Sequence, residues 1–148
     1  MTTVSQPTLT SATLYDFAVA WYTALDRHDE LDSVLTMLAP EGLEMRFPEA
    51  TARGYSGFTE WYDAVTTRFF DEVHTVRRVD VVSVEGSTAE VKVLVNWQAR
   101  MHEGQDAKSK WLGFDAYQTW IVIAGPAGPQ IKTYIVDRLE PMPGSASL

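Results

Sequence analysis

The chain has 148 residues, 45% of them hydrophobic and 11% aromatic, which suits one folded domain around one core and excludes a disordered chain. A net charge of −8, with no larger basic grouping than Arg77-Arg78 or Lys108 with Lys110, argues against nucleic acid and anionic membrane surfaces as partners. There is no cysteine, and His28, His74 and His102 lack ligand spacing, so neither a disulfide nor a zinc site is expected.

Residues 1–11, MTTVSQPTLTS, are polar and lack the basic start and apolar run of a secretory signal, so they read as a flexible arm. No apolar run approaches the roughly 20 residues of a membrane span, and a soluble cytoplasmic protein is expected. A helix follows, capped by Ser11 or Thr13 and reaching about Arg27. Leu14, Phe17, Trp21, Ala24 and Leu25 fall on one face of it at spacings of three and four. The helix closes on Asp26, a carboxylate set against the negative end of the helix dipole. Asp29 can cap a short second helix, LDSVLTML, that stops before Pro40.

GLEMRFP reads as a short strand ended by Pro48, and GYSGFTEWYDAVTTRFF as a third helix with Phe58, Trp61 or Tyr62, Val65 and Phe69 inward. Beyond it the hydrophobic period switches to two. HTVRRVDVVSV and TAEVKVLVNWQARM flank the turn EGS as a hairpin, and KWLGFDAYQTWIVIA and QIKTYIVDRLEPM pair across GPAGP. The tail, residues 143–148, is polar and expected to be flexible. Residues 12–142 thus predict one α+β domain: three helices from the N-terminal half on a strongly curved, mostly antiparallel sheet, cone-shaped and holding an internal pocket.

ALDRHD at the end of the first helix, FFDEVHTV leading into a strand and the hairpin VEGSTAEVKVLVNW carry a resemblance. In element order and length, from about Leu14 to Met142, the chain resembles the nuclear-transport-factor-like superfamily, in particular its polyketide-cyclase (SnoaL-like) branch. In members that eliminate small molecules, an aspartate late in the first helix pairs with a histidine opening the first long strand. The resemblance places these roles on Asp26 and His74. The tyrosine that such dehydratases carry five positions before the aspartate is here Trp21, with Tyr22 beside it. An indole N–H can donate a hydrogen bond but cannot titrate. The position of the general base in ketosteroid isomerases of this fold falls on Phe47, which cannot accept a proton.

Within that frame Asp26 would fix the tautomer of His74, leaving the other ring nitrogen to act as general base. Asp115, mid-strand, would be a neutral acid if inward and a solvated carboxylate if outward. Arg138 would bind a carboxylate or a developing anion if inward and pair with a surface acid if outward. Phe17, Trp21, Tyr22, Phe47, Trp61, Phe69, Trp97 and Tyr117 are core candidates that would also line an apolar pocket. Tyr117 and Trp120 have opposite parity, so one must leave the core; an outward Trp120 beside Val122 would make an apolar patch suited to a homodimer through the outer sheet face. His28 and His102 read as solvent-exposed. The expected function is a lyase, isomerase or cyclase acting without cofactor on a small, largely apolar molecule. The alternative is a non-catalytic ligand-binding or assembly domain of the same fold. No phosphate loop or dinucleotide fingerprint is present.

Overall fold

The structure is a computed structural model and describes residues 9–148. The arm expected over residues 1–11 therefore lies largely outside the described residues. Three helices, α1 (Ser11–Asp26), α2 (Leu31–Leu35) and α3 (Gly54–Arg68), accompany six strands. These are β1 (Glu44–Arg46), β2 (Thr51–Arg53), β3 (Phe70–Glu85), β4 (Thr88–His102), β5 (Ser109–Ala124) and β6 (Pro129–Pro141). They form one sheet in the order β2-β1-β6-β5-β4-β3, antiparallel throughout except where β1 runs parallel to β6. The fold is the α+β cone that the sequence predicts.

Helix α1 is capped by Thr10, not by Ser11 or Thr13: the Thr10 hydroxyl accepts from the Thr13 N–H at 3.1 Å, and the Thr13 hydroxyl accepts from the Thr10 N–H at 2.9 Å. A threonine replaces the acidic member of the usual reciprocal cap. Helix α2 is shorter than expected, and its N-cap is Glu30 rather than Asp29, with no side-chain cap bond. The Asp29 carbonyl instead accepts the Tyr62 hydroxyl at 2.5 Å, tying the α1–α2 turn to α3. The expected strand GLEMRFP is half of a small hairpin whose other half, β2, is too short to show an alternation in sequence.

The long strands sort their residues by parity. Val91, Val93 and Val95 of β4 and Leu112, Phe114, Ala116, Gln118, Trp120 and Val122 of β5 are buried on the concave face. Trp120 is inward, stacked on Tyr134 at 5.4 Å and edge-on to Phe17, so the outward patch expected of it does not exist; Tyr117 is the outward member. β3 begins at Phe70 and is broken by register shifts at Phe70/Val73, Val76/Arg78 and Val81/Ser83. Each such bulge adds a residue and bends the strand, which curls this edge around the helices.

Beyond β6 the chain does not hang free. Met142 and Ala146 donate backbone hydrogen bonds to the carbonyls of Gly113 and Trp111, and the Ser145 hydroxyl accepts the Gly113 N–H. Ala146 packs beside Phe69, Leu112 and Phe114.

Candidate active site

Between α3, the β1–β2 hairpin and the concave sheet face lies a cavity of ≈ 850 Å³. Val95, Ala116 and Val136 form its apolar floor, and Phe47, Trp61, Tyr62, Val65, Phe69 and Trp97 its walls. Phe47 and Trp61 stack face to face, 3.9 Å apart and 1° from parallel, with the Trp61 N–H donated to Glu49 at the rim. The polar groups that reach the cavity are few: Glu72, His74, Gln118 and Tyr134 inside, with Glu49, Glu60 and Arg68 exposed around the opening.

His74 and Asp26 meet. The Asp26 carboxylate accepts twice from His74: Oδ2 takes the backbone N–H at 2.8 Å, and Oδ1 lies 2.5 Å from ring Nδ1. The main-chain bond explains how an acid tolerates the last residue of α1, where the helix dipole disfavours it. It also fixes the rotamer that presents Oδ1 to the ring. An ionised carboxylate can only accept, so Nδ1 carries the proton and Nε2 is left as the basic nitrogen. The Tyr22 ring stacks on the imidazole at 4.6 Å and 21°, and Trp97 lies near-parallel to it at 6.3 Å, which holds the ring plane. The His74 side chain is 9% exposed and lines the cavity.

A second polar group lies deeper. Tyr22 donates its hydroxyl to Gln118 Oε1 at 2.8 Å, Trp120 donates its indole N–H to the same oxygen at 2.8 Å, and the Tyr134 hydroxyl sits 2.9 Å from that of Tyr22. Two donors on Oε1 settle which end of the amide is which, a choice that otherwise rests on hydrogen-bond logic alone. Burial pushes the Tyr134 hydroxyl up to about 12 and raises that of Tyr22 well above its ordinary value, so both stay protonated at neutral pH.

Of the other residues singled out from sequence, Phe47, Trp61, Phe69 and Trp97 line the cavity, and Tyr22 meets it through His74 and Gln118. Phe17 and Trp21 do not reach it. They are core residues behind it, Trp21 packed against Phe58 and Tyr134 with its indole N–H buried and unpartnered. Asp115, Tyr117 and Arg138 are corrections: all three stand on the opposite, outer face. Tyr117 pairs across strands with Leu94 and Arg138, and Asp115 with Asn96 and Glu140. Asp115 accepts from the Asn96 amide at 3.0 Å; Arg138 lies over the Tyr117 ring at 4.1 Å and pairs with Glu140 at 3.1 Å. A two-residue period makes the choice all or none, and the buried Ala116, Gln118 and Trp120 took the inside.

Sequence reasoning missed Glu72, whose side chain is 8% exposed, and misread His28, which pairs with it at 2.6 Å instead of standing in solvent. The signal was present: if His74 faces inward, the residue two before it on the same strand does too. Among the described residues no group of three His, Asp or Glu side chains could hold a metal ion, and no helix is long and apolar enough to cross a membrane.

No protein-family model matches the chain, and neither does any curated protein sequence. Solved structures do match in fold. A Novosphingobium aromaticivorans protein provisionally named an aromatic ring hydroxylase aligns over 89% of this chain and 92% of its own at 17% identity, TM-score 0.76. A protein of the same organism provisionally named a scytalone dehydratase covers 93% and 88% at 12% identity, TM-score 0.74. The hexachlorocyclohexane dehydrochlorinase LinA-type3 of Novosphingobium barchaimii covers 93% and 92% at 13% identity, TM-score 0.71.

Proposed function

We propose that this chain, which has the nuclear-transport-factor-like fold, is a lyase or isomerase acting without cofactor on a small neutral molecule, with His74 as its general base. The observation that carries the reading is the double acceptance of His74 by Asp26, at the ring and at the main chain. It supplies a defined tautomer, a fixed ring and a counter-charge for the imidazolium that forms when Nε2 takes a proton. Charge then develops on the substrate, most readily on a carbonyl oxygen conjugated to the carbon losing its proton. Gln118 and Tyr134, which line the cavity, are where such an oxygen would be received, by the Gln118 amide N–H and by the Tyr134 hydroxyl turned to it from Tyr22.

The walls favour a flat or ring-bearing substrate, which would lie along the Phe47–Trp61 stack. Carboxylates at Glu49 and Glu60 around the opening, against Arg68 alone, disfavour an anionic one. With Arg138 outside, nothing inside the cavity is built to hold a substrate carboxylate. The dehydratase and dehydrochlorinase among the structural neighbours both bear names of elimination reactions, which agrees with proton removal from carbon. A homodimer through the outer sheet face is part of the same proposal. With Trp120 inside, its support is the alternation of opposite charges across that face, Arg78 with Asp80 and Arg138 with Glu140, which a second copy could complement.

The base can be tested before the substrate is known. Ring opening of 5-nitrobenzisoxazole requires removal of one C–H proton and no acid. The protein should accelerate it with saturation, and His74→Ala should lower kcat/KM by about 10²- to 10⁴-fold. Equal rates for the two proteins, each shown to be folded, would leave a binding domain as the reading instead.

A further inference from the structure

The end of α1 and the start of β3 are joined twice, and the second joint is not used by the base. Asp26, the last residue of α1, holds His74 of β3; two residues on, in the turn after α1, and two back in β3, His28 holds Glu72. His28 Nε2 lies 2.6 Å from Glu72 Oε2, and Glu72 Oε1 accepts the Trp97 indole N–H at 3.1 Å. Glu72 lines the cavity on the same strand face as His74, while His28 is 30% exposed and reaches toward solvent. The only two non-glycine residues with positive φ among the described residues sit at this joint: His28 at 52° and Asp71, in the first bulge of β3, at 50°. Glu72 lies within this bulge, two residues before His74, and lines the cavity with it.

We infer that Glu72, recharged through His28, is the acid of the site, the group that protonates the departing oxygen of a substrate whose C–H proton goes to His74. The inference rests on the base reading above and is probed with a ring ketone carrying a hydroxyl on the carbon β to the carbonyl, which loses water. His74 Nε2 takes the proton from the carbon between carbonyl and carbinol, and that C–H electron pair becomes the new C=C bond. The C–O bond breaks with its electrons on oxygen, and the proton shared by Glu72 and His28 passes from Glu72 to that oxygen, so that water leaves. The imidazolium of His74 and the deprotonated Glu72–His28 pair then return to their starting states by proton exchange with water, the latter through the exposed edge of His28. Hydroxide is too poor a leaving group to depart unassisted, which is why a site with a base alone would not suffice. Tyr62 and Trp97 are the other polar side chains near Glu72: the Tyr62 hydroxyl is already donated to the Asp29 carbonyl, and the Trp97 N–H does not titrate.

The test varies the leaving group on one ring. 3-Hydroxycyclohexanone needs an acid to lose water; 3-(4-nitrophenoxy)cyclohexanone releases a stabilised phenolate and needs only a base. Glu72→Gln keeps an acceptor for Trp97 but carries no transferable proton. It should lower kcat/KM on the hydroxy ketone by at least about 10²-fold while leaving the nitrophenoxy ketone within about threefold of the parent. His28→Gln should shift in the same direction on the hydroxy ketone alone. His74→Ala should lose both. An equal loss on both ketones in Glu72→Gln would make Glu72 a structural tie and overturn the inference. Turnover of the nitrophenoxy ketone alone by the parent protein would overturn the inference and leave the base standing. Turnover of neither ketone by a protein that still opens 5-nitrobenzisoxazole would overturn the inference and leave the base standing; failure on all three would remove the base reading as well.

Discussion

The two faces of the sheet are built from alternate residues of the same strands, and they treat polar groups in opposite ways. On the concave face Gln118 is buried and receives two donors at once; on the convex face its neighbour Tyr117 lies under an arginine. Inside, Glu72, His74 and Gln118 each have fixed partners and still line the cavity. Outside, the charges satisfy each other in solvent: Arg138 and Glu140 are 59% and 50% exposed, Arg78 and Asp80 69% and 53%. Exposed pairs of this kind contribute about 0–1 kcal/mol, whereas a hydrogen bond to a charged group in a low-dielectric pocket is worth several times more. The chain has many ionisable residues, but chemistry is expected only where burial and a fixed partner coincide.

The sharpest way to break this contrast is Asp26→Asn. The His74 backbone N–H can only donate, so the asparagine must turn its oxygen there and its NH2 toward Nδ1. The ring then accepts at Nδ1 and carries its proton on Nε2, the wrong tautomer for a base. A loss of about 10²- to 10⁴-fold in 5-nitrobenzisoxazole opening is expected at unchanged fold. A rate kept within a few-fold would show that the aspartate is a structural cap for β3. Next in size is Trp120→Ala, which removes a buried ring touching Phe17, Tyr22 and Tyr134 and one of the two donors on Gln118. The cost should be about 3–5 kcal/mol in urea unfolding. Tyr117→Ala, on the same strand but outward, should cost about 1 kcal/mol, chiefly its contact with Arg138.

These pairs also show what the sequence could and could not reveal. Periodicity located the long strands and helices, because alternation and three-four spacing follow directly from burying one side. It also showed that Tyr117 and Trp120 must diverge. It could not say which goes in, since both parities of β5 carry an aromatic, and Phe17, Tyr22 and Tyr134, which receive Trp120, lie on other elements. The same gap misplaced Asp115 and Arg138. Asp26 and His74 were named from family resemblance, as nothing local links positions so far apart in the chain. Glu72 and His28 stand in charged strings, FDEVH and DRHDE, that read as solvated. Left-handed turns at His28 and Asp71 stand beside their pairing, and neither position has the glycine that would announce such a turn.

Buried hydroxyls give an effect readable from pH alone. Tyr134 rises from 10.0 to about 12 on folding because burial penalises its anion. Above pH 10 the unfolded chain loses this proton while the folded one keeps it, so stability is whole below pH 10 and falls as pH climbs toward 12. The loss should reach about 3 kcal/mol from this residue, at 1.36 kcal/mol per pH unit. Tyr22, raised in the same direction, should steepen it. Tyr134→Phe should flatten the decline measured by urea titration between pH 9 and 12, at a cost near neutral pH of about 1 kcal/mol for the lost hydrogen bond. A decline unchanged in that variant would assign the alkaline sensitivity elsewhere.

The smallest effect belongs to Arg138→Ala, and its smallness is the informative part. Read from sequence, this arginine could bind a substrate anion; in the structure it lies on Tyr117 and pairs with Glu140, more than half exposed. Its removal should cost at most about 1 kcal/mol of stability, since one exposed pair and one exposed cation–π contact are lost. The rate of 5-nitrobenzisoxazole opening should not change, because the sheet itself stands between this residue and His74. If the outer face joins two copies, however, losing a cation from a surface of alternating charge leaves Glu140 and its neighbours unmatched, and sedimentation should report weaker association at unaltered kcat. A large fall in kcat instead would mean that the outer face reaches the chemistry, and the division between the two faces would fail.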